Sequence, residues 1–317
     1  MRGTRGERGL TITPRAARQA LPHPDKPLWP EPAGASGTPL TKRDFAAYLV
    51  AVAPAVLPHL RNRPLVLTRY PHGAGGPWFY QKNLPEGAPA WIETFTYSGA
   101  AGRAIRYVLC HDERTLIWLA GQAAIEFHPW LSTTAAPELP DRLVVDLDPM
   151  PPATFTDTRP LAAAVREILD RARLRSYPKT SGATGIHIFV PIAPRYSYRA
   201  VQSLVRAIGA ALQRAWPERV TLERAVSRRA GRVYVDYLQN AQGKTLVAPY
   251  APRPLPGAPV STPFGWDELC SARPGAWTLR TVPARVRARG DAFSDVLDGD
   301  QDLEPLAELL GVQRSWR

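Results

Sequence analysis

Two cysteines in 317 residues, Cys110 and Cys270, leave no disulfide framework and no four-cysteine zinc site. A reducing cytoplasm suits such a chain. No apolar run approaches the roughly 20 residues needed to span a bilayer. The N-terminus MRGTRGERGLTITPRAARQ carries positive charge with no apolar stretch behind it, so it does not read as a secretory signal. Repeats, heptads and low-complexity tracts are also missing, which excludes solenoids and long coiled coils. Proline, by contrast, is abundant, and 34 of them imply many fixed turns and ordered loops. Apolar residues make up 44%, enough for a real core in one large domain or two modest ones. The formal charge is +12, from 40 Lys and Arg against 28 Asp and Glu. That excess points either to a polyanionic partner or to the solubility charge of an arginine-rich proteome.

The first block opens with a proline-rich loop ending in a helix cap. Thr41 is the N-cap and Asp44, three residues on, completes a capping box. The spacing of Phe45, Tyr48, Leu49 and Val52 predicts a helix from Lys42 to about His59, kinked at Pro54. PLVLTRY is a short strand, and GPWFYQKN an aromatic loop or strand edge. RAIRYVLC and RTLIWLA read as two strands around a turn at His111, Asp112 and Glu113, and AAIEFHPW as the end of a helix or a strand. LSTTAAPELP is a plausible junction. Beyond it, strands (RLVVDLDP, GIHIFVPI, GRVYVDYLQN) alternate with amphipathic helices (TRPLAAAVREILDRARL, YRAVQSLVRAIGAALQRAWP), which predicts an α/β layer on one central sheet.

The chemistry gathers in that second block. In RLVVDLDP, residues two apart share a strand face, so Asp146 and Asp148 project together. Two adjacent carboxylates repel unless a cation lies between them, and oxygen donors suit Mg²⁺ or Mn²⁺. Such a pair is also common as solvated acid at a strand end. GRVYVDYLQN supplies a third acid, Asp236, on the face of Tyr234; near Arg232 it could equally be a paired surface acid. Three carboxylates on neighbouring strands can hold two ions about 3.5–4 Å apart, as in nucleotidyl transfer. Between the acid strands lies KTSGATGIHIFVP. Its glycines can turn backbone N–H groups toward an anion, Ser181 and Thr184 add hydroxyls, and His187 sits just inside the strand, where it can reach a triphosphate or serve structure alone.

DRLVVDLDP, KTSGATGIHIFVP and VYVDYLQNAQGKTLVAPY together resemble the polymerase domain of bacterial ligase D, of the archaeo-eukaryotic primase superfamily. HPDKPLWP, GPWFYQKN, IEFHPW and PLPGAPVSTPFGWDEL extend the likeness in the same order, from about residue 20 to about residue 312. The resemblance implies an α+β primase-polymerase fold. An N-terminal α/β part, residues 1–135, would bind template and 5′-phosphate. It would pack on an RRM-like catalytic part with a central mixed sheet, residues 136–317. The implied activity is template-directed nucleotidyl transfer that fills gaps or extends ends at DNA breaks, often with ribonucleotides and Mn²⁺. Asp146, Asp148 and Asp236 would ligate two Mn²⁺ or Mg²⁺ ions, with NTP or dNTP as substrate. Ser181, Thr184, His187, Arg253, His128 and Lys244 would line the nucleotide site. Phe79 and Tyr80 would stack on a template base. Lys26 and Lys42 would hold a 5′-phosphate, and Lys82 the DNA. Phe79 and Tyr80 could also be core aromatics, and the lysines ordinary surface charges.

Three departures stand out. Thr184 replaces a lysine common in the loop, for which Lys179 is a candidate substitute. Leu255 replaces a second arginine, and Trp78 adds an aromatic. The ending DVLDGDQDLEPLAELLGV reads as that of a complete domain, free-standing or excised. Its partners would be broken or gapped DNA, a separate DNA ligase and a Ku-type protein, in the cytoplasm and at the nucleoid. Two other classes stay open. One is a non-catalytic module that bridges DNA ends through 5′-phosphates; the other is a glycosyltransferase with an Asp-x-Asp metal site.

Overall fold

The computed structural model describes residues 21–30, 38–99 and 102–313. A two-stranded ribbon, β1 (Pro27–Trp29) and β2 (Leu40–Thr41), leads into helix α1 (Lys42–Leu60). The capping box forms: Thr41 N and Oγ1 both donate to Asp44 Oδ2, at 2.8 and 2.7 Å. Helix α1 runs unbroken past Pro54 and Pro58. The first sheet comprises β3 (Leu65–Arg69), β4 (Phe79–Gln81), β5 (Thr94–Ser98), β6 (Ala104–Val108) and β7 (Ala124–Pro129), with β3 pairing both β4 and β7. Between β6 and β7 lies helix α2 (Glu113–Gly121).

Helix α2 corrects one expectation. RTLIWLA is helical, not a strand, because Asp112 caps it, its Oδ1 accepting from Thr115 N at 2.8 Å. Leu116, Leu119 and Ala120 then fall on one buried helical face.

The second sheet is built from β8 (Arg142–Pro149), β9 (Tyr177–Thr180), β10 (Ile186–Pro191), β11 (Val220–Thr221) and β12 (Val233–Val235). Helix α3 (Phe155–Arg171) follows β8, and α4 (Tyr198–Ala215) follows β10. The strand order is β11-β12-β8-β10-β9, with β11 and β12 parallel and the other pairs antiparallel. This is a β-α-β-β-α-β unit with a mixed sheet, so the chain is α+β and its second half is RRM-like. Helices α5 (Val282–Arg289) and α6 (Glu304–Leu310) complete the six α-helices among the described residues.

Two cores follow from the periodicities. Leu143, Val145 and Leu147 of β8, Ile186, Ile188 and Val190 of β10, and Val233 and Val235 of β12 pack on Leu161, Val165, Val201 and Leu204 of α3 and α4. The other core joins α1, α2 and the first sheet to Val247, Tyr250, Ala258, Val260 and Val282. The chain therefore returns to the first module after completing the second sheet. Residues 130–141 carry no helix or strand and link the two. No helix among the described residues is long and apolar enough to cross a membrane.

Candidate active site

Strand parity positions the acids. With Leu143, Val145 and Leu147 turned to the helices, Val144, Asp146 and Asp148 must face the other way. His187 and Phe189 do the same in β10, and Tyr234 in β12. His187 stands opposite Asp146 in the ladder, its Nε2 3.4 Å from Asp146 Oδ1. Asp236 lies one residue past β12, and its amide donates to the Asp146 carbonyl at 2.9 Å. The three acids thus meet at one end of the sheet.

Their electrostatics favour a bound proton or a cation. Burial, then Asp148 and Asp236, push the Asp146 carboxyl well above the usual carboxylate range. Burial and Asp236 also raise Asp148, against the pull of Arg229 and Arg253. The donors are carboxylate oxygens, which fit Mg²⁺ or Mn²⁺. They form no closed cage: among the described residues, no three His, Cys, Asp or Glu side chains are grouped to hold one ion. Asp236 is turned partly aside, one oxygen accepting from Tyr234 OH and Leu238 N (both 3.1 Å), the other from Gln239 Nε2 (3.2 Å). An open set of this kind suits ions that take their remaining ligands from water and substrate phosphates.

An open cleft of about 210 Å³ lies over this face. It is lined by Asp146, Asp148, His187, Ser181, Thr184, His128, Arg253 and Tyr80, all expected from the sequence. The Ser-Gly loop is shaped differently from the expected anion nest. Ser181 Oγ itself accepts from Ala183 N (3.1 Å) and Gly185 N (2.9 Å), so those amides are taken. Among the described residues no group accepts the serine proton, which leaves it to donate. Gly182 has φ +75°, and a Cβ there would come within 2.7 Å of Arg253 Cγ. Arg253 Nη1 donates to the Ser181 carbonyl at 2.9 Å, and its Nε lies 2.7 Å from Glu126 Oε1.

Several assignments change. Lys179 cannot replace the missing loop lysine, because it has no exposed surface and its Nζ lies against His187 Nδ1 (2.9 Å) and Ser261 Oγ (2.5 Å). Lys42 is no open surface charge: it is buried, and its Nζ donates to the Gly121 carbonyl at 2.7 Å and the Pro22 carbonyl at 3.3 Å. Burial lowers its pKa, helped by Lys26 and Arg69. Lys26 is half-buried beside it. Lys244 is exposed, one residue before the cleft-lining Thr245. Lys82 is exposed and shares an adjoining cleft with Tyr80, Asn83 and Arg103. Phe79 and Tyr80 are exposed, not core, and the strand sends them to opposite sides. Tyr80 meets Trp78 (5.2 Å between ring centroids) and His128 (6.3 Å), while Phe79 lies under Arg69.

Sequence reasoning missed Glu126, Gln239, Thr245 and Arg229. Glu126 shares a strand face with His128 two residues on, a signal that was available. Burial pushes its carboxyl up, but His128, Arg253 and Thr68 outweigh this and its pKa is lowered. Arg229 stacks 3.5 Å from the Tyr234 ring centroid, beside the acids.

Residues 41–293 match the family model described as LigD, primase-polymerase domain. The chain is 36% identical over 272 residues to the bifunctional non-homologous end joining protein LigD of Bacillus subtilis, covering 85% of this chain and 43% of that one. It is 33% identical over 305 residues to the multifunctional non-homologous end joining protein LigD of Mycolicibacterium smegmatis, covering 96% and 39%. The chain spans about two fifths of the length of these curated relatives. Its fold matches the polymerase domain from Mycobacterium tuberculosis ligase D in complex with DNA, with TM-score 0.79 and 32% identity, over 89% of this chain and 98% of that one.

Proposed function

Because the chain belongs to the LigD primase-polymerase domain family, we propose that it is a DNA-repair primase-polymerase. It adds nucleotides to a primer on a template, at short gaps or broken ends. The observation that carries this reading is the strand parity. It sends Asp146, Asp148 and His187 away from the helices into the cleft that Ser181, His128 and Arg253 also line.

Asp146, Asp148 and Asp236 would hold two Mn²⁺ or Mg²⁺ ions, which would supply the charge that acidifies a primer 3′-hydroxyl and offsets a triphosphate. Ser181 donates its hydroxyl proton to a phosphate oxygen. Arg253 offers the guanidinium edge that Glu126 and the Ser181 carbonyl leave open. Thr184 and Lys244, both exposed, add contacts at the rim. His128, held by Thr68 Oγ1 at 2.9 Å, borders the nucleotide. Tyr80 stacks on a template base at the mouth. Lys26 contacts a 5′-phosphate, with Lys42 adding charge from below, and Lys82 follows the DNA backbone. The +12 charge supports a DNA partner. Ribonucleotides are the favoured substrate, and a DNA ligase with a Ku-type protein completes the repair, in the cytoplasm at the nucleoid.

Primer extension on a gapped duplex with a 5′-phosphate tests this, with Mn²⁺ or Mg²⁺ and with ribo- or deoxyribonucleotides in separate arms. The expected result is templated extension that the Asp146→Ala/Asp148→Ala protein loses while still binding DNA. Extension by that variant removes the metal assignment. DNA binding without extension in any arm replaces the polymerase with an end-bridging module.

A further inference from the structure

Strand β12 stops before its neighbour does. Its last pair sets Val235 against Leu147, and the Asp236 amide adds one more bond, to the Asp146 carbonyl at 2.9 Å. The chain then leaves the sheet in a single short turn, Tyr237–Gln239. Val144, two residues before Asp146, directs its amide and carbonyl to the same edge of β8, beyond the end of β12. The side chain of Asn240 meets both. Its Oδ1 accepts from Val144 N at 2.9 Å, and its Nδ2 donates to the Val144 carbonyl at 2.7 Å. Neither residue has exposed surface.

A carboxamide suits this place because it carries an acceptor and a donor on one planar group, as a peptide does. Only one orientation works, since the Val144 N–H needs an oxygen and the Val144 carbonyl needs an N–H. Asparagine does not titrate, so the pairing is the same at every pH. What the pairing holds is the turn. Asn240 Nδ2 also reaches the Tyr237 carbonyl at 3.4 Å. The turn in turn grips both carboxylate oxygens of Asp236: Oδ1 accepts from Leu238 N at 3.1 Å, and Oδ2 from Gln239 Nε2 at 3.2 Å. Those two residues directly precede Asn240. The Asp236 carboxylate therefore stands where the turn stands, and Asn240 fixes the turn to the strand that carries Asp146 and Asp148.

We propose that Asn240 is a positioning residue which, by taking the place of a further strand residue against Val144, sets the Asp236 carboxylate where it can share divalent ions with Asp146 and Asp148. An amide that only satisfied two buried backbone groups would stabilise the sheet and do nothing else. One that positions Asp236 acts on the ions through Asp236 and through no other group. The metal half of this inference rests on the polymerase reading; the anchoring of the turn does not.

The test is Mn²⁺ binding, read by electron paramagnetic resonance of the free ion, in a double-mutant cycle of Asn240→Leu and Asp236→Ala. Leucine keeps the volume and loses both bonds. Alone, Asn240→Leu should weaken Mn²⁺ binding about tenfold, the low end of the range for groups that orient a metal ligand. In the Asp236→Ala protein, which has no carboxylate there to misplace, the same substitution should change the affinity by less than about twofold, the scatter of such cycles. Equal losses in both backgrounds overturn the proposal, because Asn240 would then act on the fold at large. So does an unchanged affinity in either single variant. The unmodified protein supplies a test that needs no variant to fold: the Asn240 carboxamide protons should exchange slowly with solvent, and rapid exchange overturns the anchor. Primer extension by the unmodified protein separates the two readings. The expected cycle without extension removes the polymerase and leaves Asn240 its role; extension with an additive cycle does the reverse.

Discussion

The Asp236 amide donates to the Asp146 carbonyl at 2.9 Å, so their carboxylates leave neighbouring backbone positions at the same end of the sheet. Burial, together with the resulting repulsion, has a thermodynamic consequence. Asp146 binds its proton more tightly folded than unfolded, where its value is near 3.8. Between that value and its raised folded value, the folded state holds more protons, so metal-free stability falls as pH rises. Mn²⁺ should restore the loss by replacing the proton. Melting curves from pH 4 to 8, with chelator or Mn²⁺, should diverge as pH rises. Asp146→Asn should melt higher than the unmodified protein in chelator and respond less to Mn²⁺. Parallel curves would remove the carboxylate cluster as a cation site.

Glu126 and Arg253 give the opposite sign. The Glu126 carboxyl is held below its usual 4.5, so its stabilisation is present above that value and fades as pH falls through the folded value. Glu126→Gln keeps the shape but removes the charge facing Arg253 Nε. At pH 7 the variant should lose about 1.5–3 kcal/mol in urea unfolding, the range for a bond to a charged group. The gap to the unmodified protein should narrow toward pH 4. A constant gap would mean that packing, not charge, accounts for the loss.

Much of this site was legible in the sequence because strand parity is a local property. The alternation in RLVVDLDP, IHIFVP and VYVD sorts each residue to the helices or to the cleft before any contact is known. What was not legible depends on tertiary neighbours. Nothing in TKRD says that Lys42 bends under Gly121, and nothing in YPKTSG says that Lys179 is sealed behind His187 by Ser261, 82 residues away. The apolar run of RTLIWLA suits a strand as well as a helix, and Asp112 decides between them. The closing of the first core by Val247–Val282 is likewise a long-range event.

The aromatic edge separates three neighbouring side chains. Trp78 and Tyr80 share a side and touch, and Tyr80 continues to His128 in the cleft. Phe79 turns to Arg69. A template base stacked here meets Tyr80 and Trp78 before Phe79. Tyr80→Ala and Trp78→Ala should each weaken binding of a duplex with an unpaired template strand by about 1–3 kcal/mol, the worth of one stacked base. Phe79→Ala should cost less. Fluorescence anisotropy at one fixed salt concentration gives the comparison, and an equal or larger loss for Phe79 would reverse the assignment.

Gly182 and Gly87 both have φ +75°, but only one is crowded. A Cβ at Gly87 meets nothing within 4 Å, whereas one at Gly182 meets Arg253 Cγ and Ser261 N, each at 2.7 Å. Gly87→Ala therefore carries only the left-handed backbone cost, about 1–2 kcal/mol. Gly182→Ala carries the same cost and must also push Arg253 or the Ser261 backbone aside. Urea unfolding should show the larger loss for Gly182→Ala. Triphosphate binding should drop for that variant alone, because Arg253 is the group displaced. Equal unfolding losses with unchanged binding would show that the loop yields without moving Arg253, and that the glycine serves only the turn.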